Sequence, residues 1–302
     1  LRELAPDGCP HLYLTSSLSE MVDKSIRAIK HKRTEGQVAI GLRGGYLGHA
    51  TAGARSLSDW GTDQATQGFF DWPLVPHPSE DPDGCVSALD DIVSEHGADK
   101  LLGLYVEGVQ GRTGAVITEQ AWDLLCAWRD RTGVPLVLSE RMTGRFRSGK
   151  GMWWCDSLRG NPDLVLWWGG GQIGHIFSSD DSYVAKPLTL ISTWDGDELS
   201  ATRSLWQLYI CSEAKVAERA AQLEAGLRST GLDDSTLGGM GLYRVIKASP
   251  AVLDRMEMRA SQAGIRLSRT RYGWLVVSPP ITVTAEEIVR LCTALSSASE
   301  EA

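Results

Sequence analysis

The chain has 302 residues, of which 42% are hydrophobic and 23% are charged, as in an ordinary globular protein. This length allows one large domain and a smaller one. A net charge of -8 and an isoelectric point near 5.3 argue against nucleic acid or an anionic membrane as the main partner, since both attract basic surfaces. No apolar run approaches the ~20 residues that cross a bilayer. The N-terminus has no signal-peptide pattern, so we expect a soluble cytoplasmic protein.

The first predicted elements alternate between helices and strands. Residues 19–33 have apolar side chains at helical spacing and basic residues near their end, which predicts an amphipathic helix with Ser19 as its N-cap. Continuous apolar strands that alternate with helices indicate a mainly parallel sheet covered on both faces. The next elements in order are the strand QVAIGL, the turn RGGYLGHATAGA, the strand LLGLYVEG, the helix TEQAWDLLCAWRDRTG, closed by Gly133, and the strands VPLVLSE and DLVLWW.

The pattern changes after Thr193. Residues 196–230 are rich in Ala and Leu and contain no proline, which predicts one long helix. The tail then predicts a β-α-β-α order from LYRVIKA, AVLDRMEMRASQAG, IRLSRTRYGWLVVSPP and TAEEIVRLCTAL. We therefore predict a large α/β domain over 1–200, a connecting helix over 201–230 and a small α+β domain over 231–302.

The carboxyl ends of the predicted strands are where a ligand is expected, because ligands of open parallel sheets sit at that edge. In this sequence the rule selects the loops around Ser17, Tyr46, Glu107, Ser139 and Gly169. The six cysteines are scattered without a CxxC pair or histidines at ligand spacing. We expect free thiols and no metal site or disulfide framework.

Seven segments follow one another in an order that a known family shares. They are LYLTSSLSEMVDKSIRAIK, GGYLGHATAGARSLS, LYVEGVQGRTGAV, LVLSERMTGRFRSGK, NPDLVL, STWDGDEL and SPPITVTAEEI. Together they resemble the class III aminotransferases, the pyridoxal-phosphate enzymes that include ornithine, acetylornithine and 4-aminobutyrate aminotransferases. The fourth segment, for example, is similar to the family's strand motif Asp-Glu-Val-x-Thr-Gly. The resemblance implies an aspartate-aminotransferase-like (fold type I) large domain, a small C-terminal α+β domain and a dimer.

The largest departure from the family pattern concerns the catalytic lysine. This lysine forms the Schiff base and moves protons, and in the family it follows the segment matched by PDLVLWW. Here that place holds Gly169, Gly170 and Gly171, and the chain has no lysine between Lys150 and Lys186. Replacement of the lysine by Gly169 and a short deletion remain alternatives.

Three more positions differ from the family. Ser139 stands where the family's acid holds a proton on the pyridine nitrogen, and Leu47 replaces the histidine of the turn. Leu18 replaces a phosphate-loop glycine, whose backbone approaches the phosphate closely. The resemblance then implies that lysine-based transamination does not run. We expect no cofactor, with non-covalent pyridoxal phosphate as the remaining alternative.

Several positions still match the family. The resemblance assigns the cofactor contacts to Ser17, Ser19, Tyr46, Ser139 and Thr193. In the family, the threonine matched by Thr193 reaches the phosphate of the other subunit. The sequence begins just ahead of the phosphate loop, so we expect either that the family's N-terminal segment is missing, which would alter the pocket entrance, or that the native chain is longer than this sequence.

Acid–base groups remain in the predicted cleft. The candidates for catalysis are Glu107, Glu140, Tyr46 and His175. His175 has an alternative interpretation as a satisfied loop histidine. A cluster formed by Arg141, Arg145 and Arg147 either binds a carboxylate or phosphate or lies solvated on the surface.

Three functional hypotheses follow. The first is a cofactor-independent enzyme that acts on a small polar or carboxylated metabolite in the old cleft. The second is a non-catalytic subunit that pairs with an intact aminotransferase, as a heterodimer in place of a homodimer. The third is a lysine-less enzyme that binds pyridoxal or pyridoxamine phosphate non-covalently. The fold alone does not choose among them.

Overall fold

A computed structural model describes residues 2–62, 68–213 and 215–299 of the chain. These residues form two compact units. The first unit contains residues 1–108, 117–141 and 155–205, and the second contains 109–116, 142–154 and 206–302. Two segments of the domain predicted over 1–200 therefore lie with the C-terminal unit.

The first unit is built on a seven-stranded sheet. Its strands are β1 (His11–Thr15), β2 (Val38–Leu42), β3 (Leu74–Val75), β4 (Leu101–Glu107), β5 (Leu136–Ser139), β6 (Leu164–Trp168) and β7 (Gly174–Ser178). They lie in the order β1-β7-β6-β5-β4-β2-β3. The strands from β3 to β6 pair in parallel, whereas β7 pairs antiparallel with both β6 and β1. The prediction of a mainly parallel α/β sheet is confirmed.

Four helices accompany this sheet, and α1 packs its apolar face into the main core. Met21, Val22 and Ile29 of α1 are buried with Tyr105 of the sheet. The apolar positions recur at helical spacing, which is why the sequence predicted this helix. The helices are α1 (Leu18–Lys32), α2 (Ala52–Ser56), α3 (Pro82–His96) and α4 (Glu119–Thr132).

The N-cap of α1 is Ser17, so the prediction of Ser19 is wrong. Ser17 has an extended backbone, and its Oγ accepts a hydrogen bond from Glu20 N at 3.2 Å. That geometry satisfies one of the amides left open at a helix start. Ser19 instead lies in the first turn of the helix, where its hydroxyl has other partners.

The second unit holds a four-stranded antiparallel sheet. Its elements are α6 (Val216–Arg228), β8 (Leu237–Met240), β9 (Tyr243–Ile246), α7 (Pro250–Gln262), β10 (Ser268–Arg269), β11 (Leu275–Val277) and α8 (Ala285–Ser299). The strands lie in the order β10-β11-β9-β8. The helices pack their buried apolar side chains with this sheet in one core. The predicted small α+β C-terminal domain is confirmed as a fold.

The long helix predicted over 196–230 is wrong, because it is two helices. The first is α5 (Glu198–Glu213), and α6 begins again after Lys215, which has a φ of 47°. A left-handed residue interrupts the helical hydrogen-bond ladder. Beyond it, Val216, Ala220, Leu223 and Leu227 form a new buried stripe. Among the described residues, no helix has the length and apolarity to cross a membrane.

Candidate active site at the carboxyl edge of the main sheet

The ends of the central strands bring several predicted residues to one edge of the main sheet. Glu107, the last residue of β4, is in register with Ser139, the last residue of β5. Ser139 is also in register with Leu166 of β6. Thr15 and Trp168 both pair with Gly174, so β1 and β6 end at this edge as well. The chain enters α1 from there.

Glu107 and Tyr46 are joined at this edge. The buried Glu107 carboxylate accepts a hydrogen bond from Tyr46 N through Oε2, at 2.8 Å. This bond fastens the turn after β2 to the end of β4. At the far end of its ring, Tyr46 places its hydroxyl 2.7 Å from His49 Nδ1. Two of the four predicted acid–base residues are therefore in contact, through the backbone N–H of Tyr46 and not through its phenol.

Arg141 lies over the ring of Tyr46. Its guanidinium carbon is 5.4 Å from the ring centroid, and its Nη2 is 3.7 Å from Glu107 Oε1. The residue matches the valine of the family motif Asp-Glu-Val, so the chain has a cation where that pattern has an apolar side chain. The sequence indicates that Arg141 lies beside the pocket, but no pattern in it predicts this contact.

The start of α1 joins the same turn. Ser19 Oγ accepts hydrogen bonds from His49 N at 3.2 Å and from Ala50 N at 3.0 Å. Ser17 caps the helix as described above. Backbone amides at a helix start attract anions, and hydroxyl groups at that point add donors. This end of the site therefore has the chemistry of a phosphate cradle.

Glu140 and His175 have partners elsewhere. The fully buried Glu140 accepts a hydrogen bond from Cys155 N at 2.8 Å. Burial, together with the charge of Glu140, raises the pKa of the Cys155 thiol. His175 is also fully buried, with Nε2 3.1 Å from Ser204 Oγ and its ring 5.1 Å from that of Trp167. Their catalytic roles stay predictions.

The turn between β6 and β7 holds the three glycines that the resemblance matches to the region of the family's lysine. Trp168 pairs with Gly174, so only five residues close this antiparallel hairpin. Gly170, Gly171 and Gln172 have positive φ values, as a tight turn requires. A side chain at Gly169 would run into the indole of Trp167, which is buried. The turn has no room for a long side chain at its first position.

Most lysines of the chain are exposed. All eight lysines of the sequence fall within the described ranges, and Lys24 is the buried one. Its Nζ pairs with Asp195 and donates to Leu14 O at 2.9 Å. Lys186 is exposed, and Thr193 lies exposed in a turn before α5.

The described part of the chain has no candidate metal site. No group of three His, Cys, Asp or Glu side chains is arranged there to hold a metal ion. Cys9, Cys85, Cys126, Cys155 and Cys292 are free and buried. The side chain of Cys211 lies outside the described residues.

Nearly the whole chain matches the model of one protein family. The model of the aminotransferase class-III family matches residues 1–298. The chain belongs to the class III aminotransferases. The resemblance inferred from the seven segments is thereby confirmed.

Relatives at modest identity support the assignment. The chain is 27% identical to the mitochondrial ornithine aminotransferase of Arabidopsis thaliana over 249 residues, which are 75% of this chain and 51% of that protein. It is 27% identical to the acetylornithine aminotransferase of Mycobacterium leprae over 285 residues, 89% of this chain and 67% of that protein. The chain thus spans about half the length of the first of these curated relatives.

Solved structures share the fold. A transaminase from the marine bacterium Virgibacillus superposes with a TM-score of 0.84 at 20% identity, covering 99% of this chain and 77% of that one. An amine transaminase from an uncultivated Pseudomonas species, in its PLP-bound internal aldimine form, gives 0.81 at 20% identity, covering 97% and 77%. At these identities the similarity establishes the aspartate-aminotransferase-like fold and no more.

The expectation that the protein uses no cofactor is wrong. Class III aminotransferases depend on pyridoxal phosphate, and the family match with its relatives points to that cofactor. The cofactor-independent hypothesis is withdrawn on this finding.

The residues present fit the two ends of this cofactor unequally. The phosphate end fits in its helix start and in the hydroxyls of Ser17 and Ser19, but Leu18 stands where the family has a glycine. The ring end has the ring of Tyr46, one face of which is covered by Arg141, and the neutral hydroxyl of Ser139. A tether at the β6–β7 turn does not fit, because the turn carries no amine.

Proposed function

We propose that the protein binds pyridoxal or pyridoxamine phosphate without a lysine tether and does not run lysine-based transamination. The observation that carries the proposal is the β6–β7 turn. Three of its five residues are glycines, and Trp167 covers Gly169. The buried lysine of the chain, Lys24, is already bound to Asp195 and to the carbonyl oxygen of Leu14. The family match supplies the reason to expect the cofactor.

Each retained residue then has a defined part in holding the ligand. Ser17 and Ser19 would hold the phosphate at the start of α1, and Tyr46 would lie against the ring. Ser139 would meet the pyridine nitrogen with a hydroxyl, which supplies no negative charge. When bound, the cofactor supplies an electron-withdrawing ring. Thr193 would serve the phosphate of a second subunit.

Proton transfer is assigned to groups at this edge. Glu107 is the best placed of the candidates, because its carboxylate is buried and already contacts Tyr46 N and Arg141. Glu140 and His175 stay candidates of lower rank, since their contacts are with Cys155 N and Ser204. The proposed substrate is a small polar or carboxylated metabolite of the cytoplasm.

Absorbance and trapping test this proposal. The purified protein is mixed with pyridoxal phosphate, and a bound fraction that absorbs in the visible region is expected. Because the attachment is non-covalent, desalting should remove it. Borohydride treatment followed by peptide mass spectrometry should find no reduced adduct on any lysine. An adduct on Lys24 or Lys186, in good yield, would overturn the proposal.

A second candidate function is a subunit that completes the site of an intact aminotransferase. Exposed apolar side chains surround Thr193 in the sequence: Leu188, Ile191 and Trp194, the last 73% exposed. Large exposed apolar side chains on one segment are typical of an interaction surface. This surface suits either a homodimer or a heterodimer.

Light scattering separates the two arrangements. The chain is measured alone and after co-expression with an intact class III aminotransferase encoded in the same genome. A stable homodimer that binds pyridoxal phosphate favours the first proposal. A monomer that forms a stoichiometric heterodimer, and raises the activity of its partner, favours the second. Trp194→Asp should weaken either assembly.

A further inference from the structure

The side chain of Arg141 is a cation without a hydrogen-bond partner among the described residues. Its Nε is buried and makes no such bond. Its closest acidic atom, Glu107 Oε1, is 3.7 Å from Nη2, too far for a hydrogen bond. The side chain is only 18% exposed, so water reaches little of it. Buried donors normally have acceptors, and the Nε–H of Arg141 lacks one among the described residues.

The surroundings hold the guanidinium in place without satisfying it. The Tyr46 ring lies 5.4 Å from the guanidinium carbon, a cation–π contact that leaves the N–H groups in the guanidinium plane open. Glu107 is nearby, but its short hydrogen bond goes from Tyr46 N to Oε2 at 2.8 Å. Arg141 is therefore oriented by two neighbours and hydrogen-bonded by neither.

We propose that Arg141 is the anion receptor of the cleft and that it binds a carboxylate group of the substrate. A guanidinium presents paired donors in the geometry that a carboxylate accepts. Arg141 contacts the ring of Tyr46 and lies near Glu107, whereas the Ser19 hydroxyl accepts hydrogen bonds from His49 N and Ala50 N. The phosphate cradle and the carboxylate site are thus separate groups of donors.

Glu107 opposes this ligand. Its carboxylate lies near the same guanidinium, so a bound carboxylate meets a like charge as well as the cation. Glu107→Gln keeps an oxygen that accepts from Tyr46 N and removes the charge. The inference therefore predicts opposite effects for the two partners of one contact, which a structural role for Arg141 does not.

The inference rests on the proposed function only in placing the ligand cleft at this edge of the sheet. Calorimetric titration with glutarate, without any cofactor, tests it directly. Wild type should bind glutarate saturably and should not bind the neutral analogue glutaramide. Arg141→Gln should weaken glutarate binding about tenfold to a hundredfold, as for a charge-assisted bidentate contact. Glu107→Gln should tighten it several-fold.

Matched controls keep the result specific. Arg131→Gln, which removes the same charge from a half-exposed arginine of α4, should leave glutarate binding unchanged. Arg141→Lys keeps the charge without the planar fork and should bind between wild type and Arg141→Gln, and it serves if the glutamine variant does not fold. Pyridoxal phosphate binding, read by absorbance, is scored separately, so failure of the cofactor proposal is seen independently.

Three results would overturn the inference. The first is the absence of saturable glutarate binding by wild type. The second is equal affinity in wild type and Arg141→Gln. The third is competition by inorganic phosphate at lower concentration than glutarate, which would assign the site to phosphate.

Discussion

Lys24 and Asp195 form an ion pair in which the side chains are only 7% and 11% exposed. Lys24 lies on α1, and Asp195 lies in the turn that begins with Thr193. The second donor contact of Lys24, to Leu14 O at 2.9 Å, ties the pair to β1. Through these contacts, the turn with the predicted subunit-bridging threonine is fastened to the helix that starts the phosphate cradle.

Breaking this pair should destabilise the first unit strongly. Lys24→Met leaves the Asp195 carboxylate buried without its cation, and such a loss costs about 3–5 kcal/mol. Urea unfolding measures the free energy. The double variant Lys24→Met/Asp195→Leu should recover part of the loss, because no charge stays buried. Glu35→Gln, which breaks an exposed pair with Lys100, is the control and should change nothing measurable. Equal stability of Lys24→Met and wild type would contradict the assignment.

A methyl group at position 169 should be costly. Gly169→Ala places Cβ against the buried indole of Trp167, and overpacking of this kind costs about 1–3 kcal/mol. The thermal midpoint should therefore fall. Trp167→Leu in the same chain makes room, so the alanine should cost less in that background. If alanine costs the same in both backgrounds, the indole is not the obstacle.

Ser19→Ala should affect both stability and cofactor binding. It removes the acceptor of two part-buried hydrogen bonds, from His49 N and Ala50 N, which together contribute about 1–3 kcal/mol. The absorbance titration with pyridoxal phosphate should also weaken, since the cradle loses a hydroxyl. Ser94→Ala, on the exposed face of α3, is the control. Unchanged cofactor affinity would place the phosphate elsewhere.

The buried thiols should resist alkylation at alkaline pH. Burial raises the pKa of both Cys9 and Cys85 to about 12. Thiolate is the reactive form, so raising the pH from 7 to 9 leaves both protonated in the folded protein. In the unfolded chain the thiols ionise near their ordinary pKa. Iodoacetamide at pH 9 should therefore label both in urea and neither in buffer. Labelling in buffer by mass spectrometry would show that the core opens.

The raised pKa of a buried thiol also determines how the stability of the fold changes at alkaline pH. A thiol whose pKa is raised by folding stabilises the folded state fully below its unfolded pKa, and that contribution is lost as the pH rises towards 12. The unfolding free energy should therefore decline above about pH 9. Cys9→Ala should decline less steeply over that range. Parallel curves for the variant and wild type would rule out Cys9 as a contributor.

The strands with continuous apolar runs were predictable, and so was the helix closed by Gly133, which adopts the left-handed cap. β7 was not predicted, because Gly174, His175 and Ser178 leave only two apolar residues in it. Its position depends on pairing with β6. The helix break at Lys215 has no proline or glycine to signal it. The helix propensity of these residues favours a continuous helix, but the packing of each helix against its own core determines where the helix breaks.

The site was predictable only as far as strand ends fix it. The proximity of Glu107 to the turn of Tyr46 follows from the edge rule for parallel sheets. Successive side chains of a strand point to opposite faces of the sheet. This alternation could have predicted that Glu140 does not share the face of Ser139 and has other partners. The placement of Arg141 over Tyr46 depends on a rotamer that the finished fold selects, so no pattern in the sequence contained it.

The short connection after Trp168 also limits what mutation can restore. A codon change to lysine at 169 would push a long side chain into a buried indole, and one at 170 or 171 would force a left-handed backbone on it. A lysine in this turn is therefore easier to place with inserted residues or with a smaller neighbour at position 167. Laboratory evolution towards a lysine in this turn should therefore begin by lengthening the hairpin.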